Sequence, residues 1–182
     1  LLKQKLRGNY PLKGEVTDFA TGLTKRAYVT ARPKARIATA LSHYSLWLEA
    51  ATLNETILVL EHDSCFINKL DIDPNACKGQ IIGINNPLGC TRKSRVYHHK
   101  ITSNQNIFQL APKVDNENVP QGLAGNSAYI LTPDGAEALM KASYKFGLWP
   151  NDAIMCRQII SNLGVTKKYY TDIQRTRSTT TL

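Results

Sequence analysis

Ile57–Asp63 reads ILVLEHD, four aliphatic residues that run directly into Glu61, His62 and Asp63. An unbroken apolar run of this length suits a strand buried on both faces, the pattern of a parallel sheet. In open α/β sheets the ligand crevice lies outside the carboxyl ends of the strands, so acids at that point are placed to hold a metal or a charged substrate. A strand that simply ends in a polar turn gives the same pattern. The sequence on either side has to separate the two readings.

Upstream, Ile37, Leu41, Tyr44 and Leu48 recur at i, i+4, i+7 and i+11 after Pro33, which predicts an amphipathic helix to about Leu53 with that stripe inward. A helix followed by a wholly apolar strand is half of a βαβ unit. Downstream, GQIIGI (Gly79–Ile84) and NSAYILT (Asn126–Thr132) read as strands, separated by the polar stretch NNPLGCTRKSRVYHHKITSNQN (85–106), which reads as a long functional loop. A helix follows from Thr132 as N-cap and Pro133 in the first turn to Gly147 as the stop. WPNDAIMCRQIISNLG predicts another, with Pro150 near its start, Ile154, Ile159 and Leu163 inward and Gly164 as terminator; VTKKYYTD reads as a last short strand. EVTDFATG near the beginning reads as a short strand and loop, after a short basic helical segment, Leu1–Gly8. The expected fold is a single α/β domain over residues 1–182, a mostly parallel, Rossmann-like sheet flanked by helices.

The 182 residues are 42% hydrophobic, enough for a sizeable core, and no apolar run approaches the roughly 18 residues of a membrane span. A net charge of +9 favours an anionic partner. Its densest patch, Arg92, Lys93, Arg95, His98, His99 and Lys100, encloses Tyr97 but has no series of aromatics to stack single-stranded bases, which argues against a nucleic-acid surface. Cys65, Cys77, Cys90 and Cys156 form no CxxC pair, so free thiols in a reducing, cytoplasmic compartment are expected.

Four ordered features resemble glycosyltransferase family 25, the lipooligosaccharide and procollagen galactosyltransferases. ATALSHYSLW is similar to the family's Cys-x-x-Ser-His helix, with Ser42 and His43 in place and Thr39 where cysteine is usual. ILVLEHD resembles the Leu-Glu-Asp-Asp signature, with His62 at a position normally Asp. GNSAYILTPDGAEALM resembles the family's Ala-Tyr strand, Gly-Ala turn and helix, and runs on into WPNDAIM, similar to a Pro-x-Asp segment. RSTTTL looks like the family's Ser-Thr-Ile end.

The resemblance implies a GT-A fold and an inverting transfer of a hexose, typically galactose from UDP-galactose, with UDP-glucose the other donor considered, to a glycan or other hydroxyl acceptor. It also implies Mn²⁺ or Mg²⁺ at the diphosphate and a place in lipopolysaccharide biosynthesis. Asp63 is the first expected metal ligand, then Glu61. In extended chain, alternation points these two together and His62 away, unless the strand has already turned there and His62 replaces the usual acid. Asp152, in the Pro-x-Asp match, is the candidate general base, or else only the acid of a helix's first turn, as Asp134 is expected to be. Ser42 and His43 are expected beside the donor, and Arg92, Lys93 and Arg95 are candidates to clamp a diphosphate. The family's first strand, Ile-x-Val-Ile-Asn-Leu-x-Arg, has no counterpart in this chain, which begins at Leu1; without it the sheet is expected to expose an unpaired edge, unless the full protein carries a few more N-terminal residues or another segment fills the gap. With His62, that departure supports the alternative of a catalytically degenerate member that binds glycan or serves a structural role.

Overall fold

The computed structural model describes residues 7–28, 30–73, 76, 80–90 and 93–174. In chain order the elements are β1 (Glu15–Thr17), β2 (Thr24–Arg26), α1 (Pro33–Leu53), β3 (Ile57–Leu60), β4 (Ser64–Phe66), β5 (Ile81–Gly83), α2 (Ser94–Thr102), β6 (Phe108–Leu110), β7 (Ala128–Leu131), α3 (Pro133–Phe146), α4 (Asn151–Ile154), β8 (Leu163–Thr166) and β9 (Thr171–Ile173). The N-terminal helical segment, Cys77, Gly79, Arg92 and RSTTTL fall outside the described residues, except Arg7 and Gly8 of the first.

Five strands form the central sheet in the order β3-β7-β5-β8-β6. The sheet is mixed rather than mostly parallel: β5 and β8 pair parallel, while β3–β7, β5–β7 and β6–β8 are antiparallel. The Rossmann-like expectation is corrected here, because an aliphatic run encodes burial and carries no information about strand direction. The same holds for the decisive stretch itself. β3 is an edge strand, bonded to β7 alone among the described residues, and Leu58 and Leu60 remain 37% and 42% exposed. Val59 packs into the main core, whereas the core on the sheet's other face, Ile82, Ile84, Ala128, Ile130 and Tyr170, does not extend to β3.

Helix α1 has the bounds its sequence predicts but a different inward face. Ala40, His43, Tyr44, Trp47 and Ala50 are buried, while Ile37 and Leu41 face solvent. Of the predicted stripe Tyr44 is buried, and Trp47, which buries more apolar area than an aliphatic side chain, turns the inward face away from Ile37 and Leu41. α1 packs on α3, where the Tyr44 hydroxyl donates to that of Tyr144 at 3.1 Å. In α3, Thr132 caps the N-terminus by accepting from the Gly135 N–H at 3.2 Å.

Two segments differ from their patterns. The loop predicted over 85–106 contains α2, anchored by buried Ser94, Tyr97 and Ile101 at i, i+3 and i+7. The helix predicted from Trp149 to Gly164 stops at Ile154, and Leu163 and Gly164 belong to β8, buried between β5 and β6. Strand pairing in the core overrides the helical period there. No helix among the described residues is long and apolar enough to cross a membrane.

Candidate active site

The antiparallel pairing of β3 with β7 sets Leu60 opposite Ala128. The turn leaving β3, Glu61–Asp63, therefore lies beside the segment entering β7, Gly125–Ser127. Two hydrogen bonds lock them together: the Glu61 N–H and the Ser64 hydroxyl both donate to the Ser127 carbonyl at 2.7 Å. Gly125 makes the approach with φ +75°, where a Cβ would lie 2.9 Å from Asn85 Nδ2. On the far side, the Asp63 carbonyl accepts from the Gln174 N–H at 2.7 Å, as β4 pairs with β9.

A cleft of about 480 Å³ opens at this junction, and Ser42, His43, Glu61, His62, Asp63 and Asp152 all line it. Strand β3 has ended at Leu60 and a turn has begun, so the alternation that was to direct His62 away from Glu61 and Asp63 does not operate. His62 is exposed at the rim. The Ser42 hydroxyl donates back to the Ala38 carbonyl at 3.0 Å, which leaves its oxygen free to accept.

His43 is 5% exposed and held at both ring nitrogens. Nε2 lies 3.1 Å from Glu61 Oε1 and Nδ1 lies 2.8 Å from the Tyr129 hydroxyl, which also receives the Trp47 indole N–H at 3.0 Å. Facing a carboxylate, Nε2 carries the proton; the Tyr129 hydroxyl then donates to Nδ1. Burial drives the Tyr129 pKa up, so it stays a neutral donor. Trp47, Tyr129, His43 and Glu61 thus form one directed series that fixes an oxygen of Glu61.

Asp152 sits in the first turn of α4 after Pro150. Burial raises its carboxyl pKa; the Tyr28 hydroxyl donating to it and the Arg36 guanidinium oppose that rise, and the charge of Glu61 adds to it. The Arg36 guanidinium also lies 4.3 Å from the centre of the Tyr28 ring. Across the cleft, burial and then the charges of Asp172, Asp63 and Glu61 push the Cys90 thiol up to about 11, so it is protonated.

The described residues of the basic loop contribute less than their charge suggests. Lys93 pairs with Asp115 at 3.0 Å and donates to the Val114 carbonyl at 3.1 Å, away from the cleft, and Arg95 is exposed and does not line it. Asp134 is an exposed acid of the first turn of α3. Among the described residues the cation that lines the cleft is Arg36, whose spacing to Thr39 and His43 at i, i+3 and i+7 was the available signal. Asn126 and Ser127 had none, since their place depends on strand direction.

Five buried side-chain atoms lining this cleft have no hydrogen-bond partner: Arg36 Nε, Asp63 Oδ1, Asn126 Nδ2 and Oδ1, and Ser127 Oγ. An unsatisfied buried polar atom costs about 1–3 kcal/mol, so their concentration in one concavity marks a place built for a polar ligand. Among the described residues no three His, Cys, Asp or Glu side chains gather into a metal cage. A hard divalent ion that keeps substrate phosphates and waters needs just one or two carboxylates, and Asp63 with its unused oxygen, beside Glu61, fits that requirement.

Neither a curated protein nor a solved structure matches the chain. The family described as glycosyltransferase family 25 (LPS biosynthesis protein) matches residues 20–155, a span that includes every cleft-lining side chain named above. With most of its length matched, and with the Ser42–His43, Glu61–Asp63 and Asp152 segments meeting at one cleft, the chain belongs to glycosyltransferase family 25.

Proposed function

We propose that the cleft transfers a hexose, galactose before glucose, from its uridine diphosphate to a hydroxyl of a glycan acceptor, with inversion at the anomeric carbon. Family membership supports sugar transfer; the observation that carries the finer reading is the convergence of an unpartnered Asp63 oxygen and the half-buried Asp152 carboxyl on one cavity. Asp63, with Glu61 behind it and His62 as a third candidate ligand, would hold a divalent cation, Mn²⁺ or Mg²⁺, which would supply Lewis-acid neutralisation of charge on a diphosphate. His43 and Ser42 line the donor side, and His43 orients Glu61. Asp152 accepts the proton of the attacking hydroxyl, and its raised pKa brings it nearer the value a general base needs.

The test is a thermal-shift and transfer assay with UDP-galactose and UDP-glucose, with and without Mn²⁺, on the wild-type chain and Asp63→Ala. Ligand at about 100 times its Kd adds roughly 2.7 kcal/mol of stability. A Mn²⁺-dependent shift lost in Asp63→Ala supports the reading. The edge of β3, unpaired among the described residues, favours a second one, a degenerate member that binds glycan without transfer. Glycan binding with no response to any nucleotide sugar would establish that instead.

A further inference from the structure

Asn126 and Ser127 are each 8% exposed, and neither the Asn126 carboxamide nor the Ser127 hydroxyl has a hydrogen-bond partner. The segment that carries them does not move freely, because the Ser127 carbonyl is fixed to the Glu61–Ser64 turn by two bonds of 2.7 Å. Asn126 thus presents one unused acceptor, Oδ1, and an unused donor group, Nδ2, at a set place beside Asp63. A pair of neighbouring hydroxyls has the complementary needs, one donating to the carbonyl and the other accepting from the amide.

We propose that Asn126, with the Ser127 hydroxyl beside it, reads adjacent hydroxyls of the hexose ring in the donor. This rests on the functional reading above, which places the diphosphate at Asp63. The hexose is joined directly to that diphosphate and so falls next to the loop tied to the Asp63 turn. The backbone that carries both side chains is fixed before binding, which lowers the ordering cost that offsets the hydrogen bonds gained.

The test is calorimetric titration of UDP and of UDP-galactose, both with Mn²⁺, into the wild-type chain, Asn126→Ala and Asn126→Ser, each checked for an unchanged thermal midpoint in the absence of ligand. Loss of two neutral hydrogen bonds predicts that Asn126→Ala weakens UDP-galactose binding roughly tenfold or more while UDP binding stays as it was. Asn126→Ser, which restores a small donor and acceptor, is expected to lie between; it also serves if the alanine variant does not fold. Equal weakening of both ligands would place Asn126 on the nucleotide and overturn the inference without touching the proposed function. Unchanged affinity for both would also overturn it. A wild-type chain that binds neither ligand would remove the functional reading, and this inference with it.

Discussion

Lys25 in the N-terminal hairpin and Asp63 at the cleft both hold polar atoms out of water, and their surroundings are built to opposite specifications. Lys25 is 1% exposed, and its ammonium donates to Asp18 Oδ2 at 2.6 Å and to the Asn9 carbonyl at 2.5 Å, 4.8 Å from the centre of the Trp149 ring. Asp18 accepts further bonds from Asn9 Nδ2, from the N–H groups of Ala20 and Thr21, and from the Thr21 hydroxyl. Burial alone would raise the Asp18 pKa, but Lys25 and Thr21 hold its carboxyl below the usual range. Asp63 Oδ1, with Asn126 and Ser127 beside it, has no partner. Saturated buried polar groups hold a fold together; unsaturated ones leave binding energy for a ligand.

The largest effect expected separates the two. Lys25→Met strands the Asp18 carboxylate in the core and should lower stability by about 3–5 kcal/mol, read from urea unfolding. Asp63→Asn removes a charge that the folded chain does not compensate, so its stability should match or exceed wild type while the Mn²⁺-dependent nucleotide shift disappears. If Asp63→Asn unfolds as readily as Lys25→Met, the contrast is broken and Asp63 is a structural group.

Two glycines sharpen the comparison at a smaller scale. A Cβ on Gly122 would lie 2.1 Å from the Asp152 carbonyl oxygen, and one on Gly135 would lie 2.1 Å from the Gln80 carbonyl oxygen. Both alanine variants overpack backbone against backbone and should cost about 1–3 kcal/mol. Gly122→Ala alone displaces the segment carrying Asp152, so transfer should fall further in it than in Gly135→Ala at equal stability. Equal kcat/KM in the two would show that the placement of Asp152 does not matter. Next comes Tyr129→Phe, which strands the Trp47 indole N–H and releases His43 Nδ1. A cost of about 1–3 kcal/mol is expected, with a changed His43 tautomer balance in ¹⁵N spectra; unchanged ring-nitrogen shifts would sever Tyr129 from Glu61.

Much of this was legible from local chemistry. The caps of α3, the bounds of α1 and the strands at 57–60 and 128–131 follow from Pro, Gly and Thr placement and from apolar runs. What depended on long-range pairing was not. Nothing in ILVL states that β3 runs antiparallel to β7, and that direction is what sets Asn126 and Ser127 against Glu61 and Asp63. Likewise Leu163 and Gly164 fit a helical period until β5 and β6 claim them. Six side chains singled out from motifs, Ser42, His43, Glu61, His62, Asp63 and Asp152, meet at one cleft, yet among the described residues the cation beside them is Arg36 rather than Lys93 or Arg95 of the basic loop, because charge density along the chain says nothing of where a loop folds.

The smallest effect expected concerns Asp152, and its sign discriminates most finely. Burial raises its pKa, so the folded chain holds this proton more tightly than the unfolded chain does. The stability linked to that proton is complete below the unfolded carboxylate range and is lost as pH rises through the higher folded value. Asp152→Asn, neutral throughout, should therefore melt above wild type at neutral pH, with the gap narrowing as pH falls through the folded value and closed below pH about 3.9. Activity carries the same signature from the other side: a base works when deprotonated, so the acid limb of kcat/KM should lie above the usual carboxylate range. Tyr28→Phe deletes a donor to the charged form and should move that limb to still higher pH, whereas Tyr144→Phe, on α3 and outside the cleft lining, should not. A limb unmoved by Tyr28→Phe would return Asp152 to the role of a helix-start acid and leave the transfer without this base.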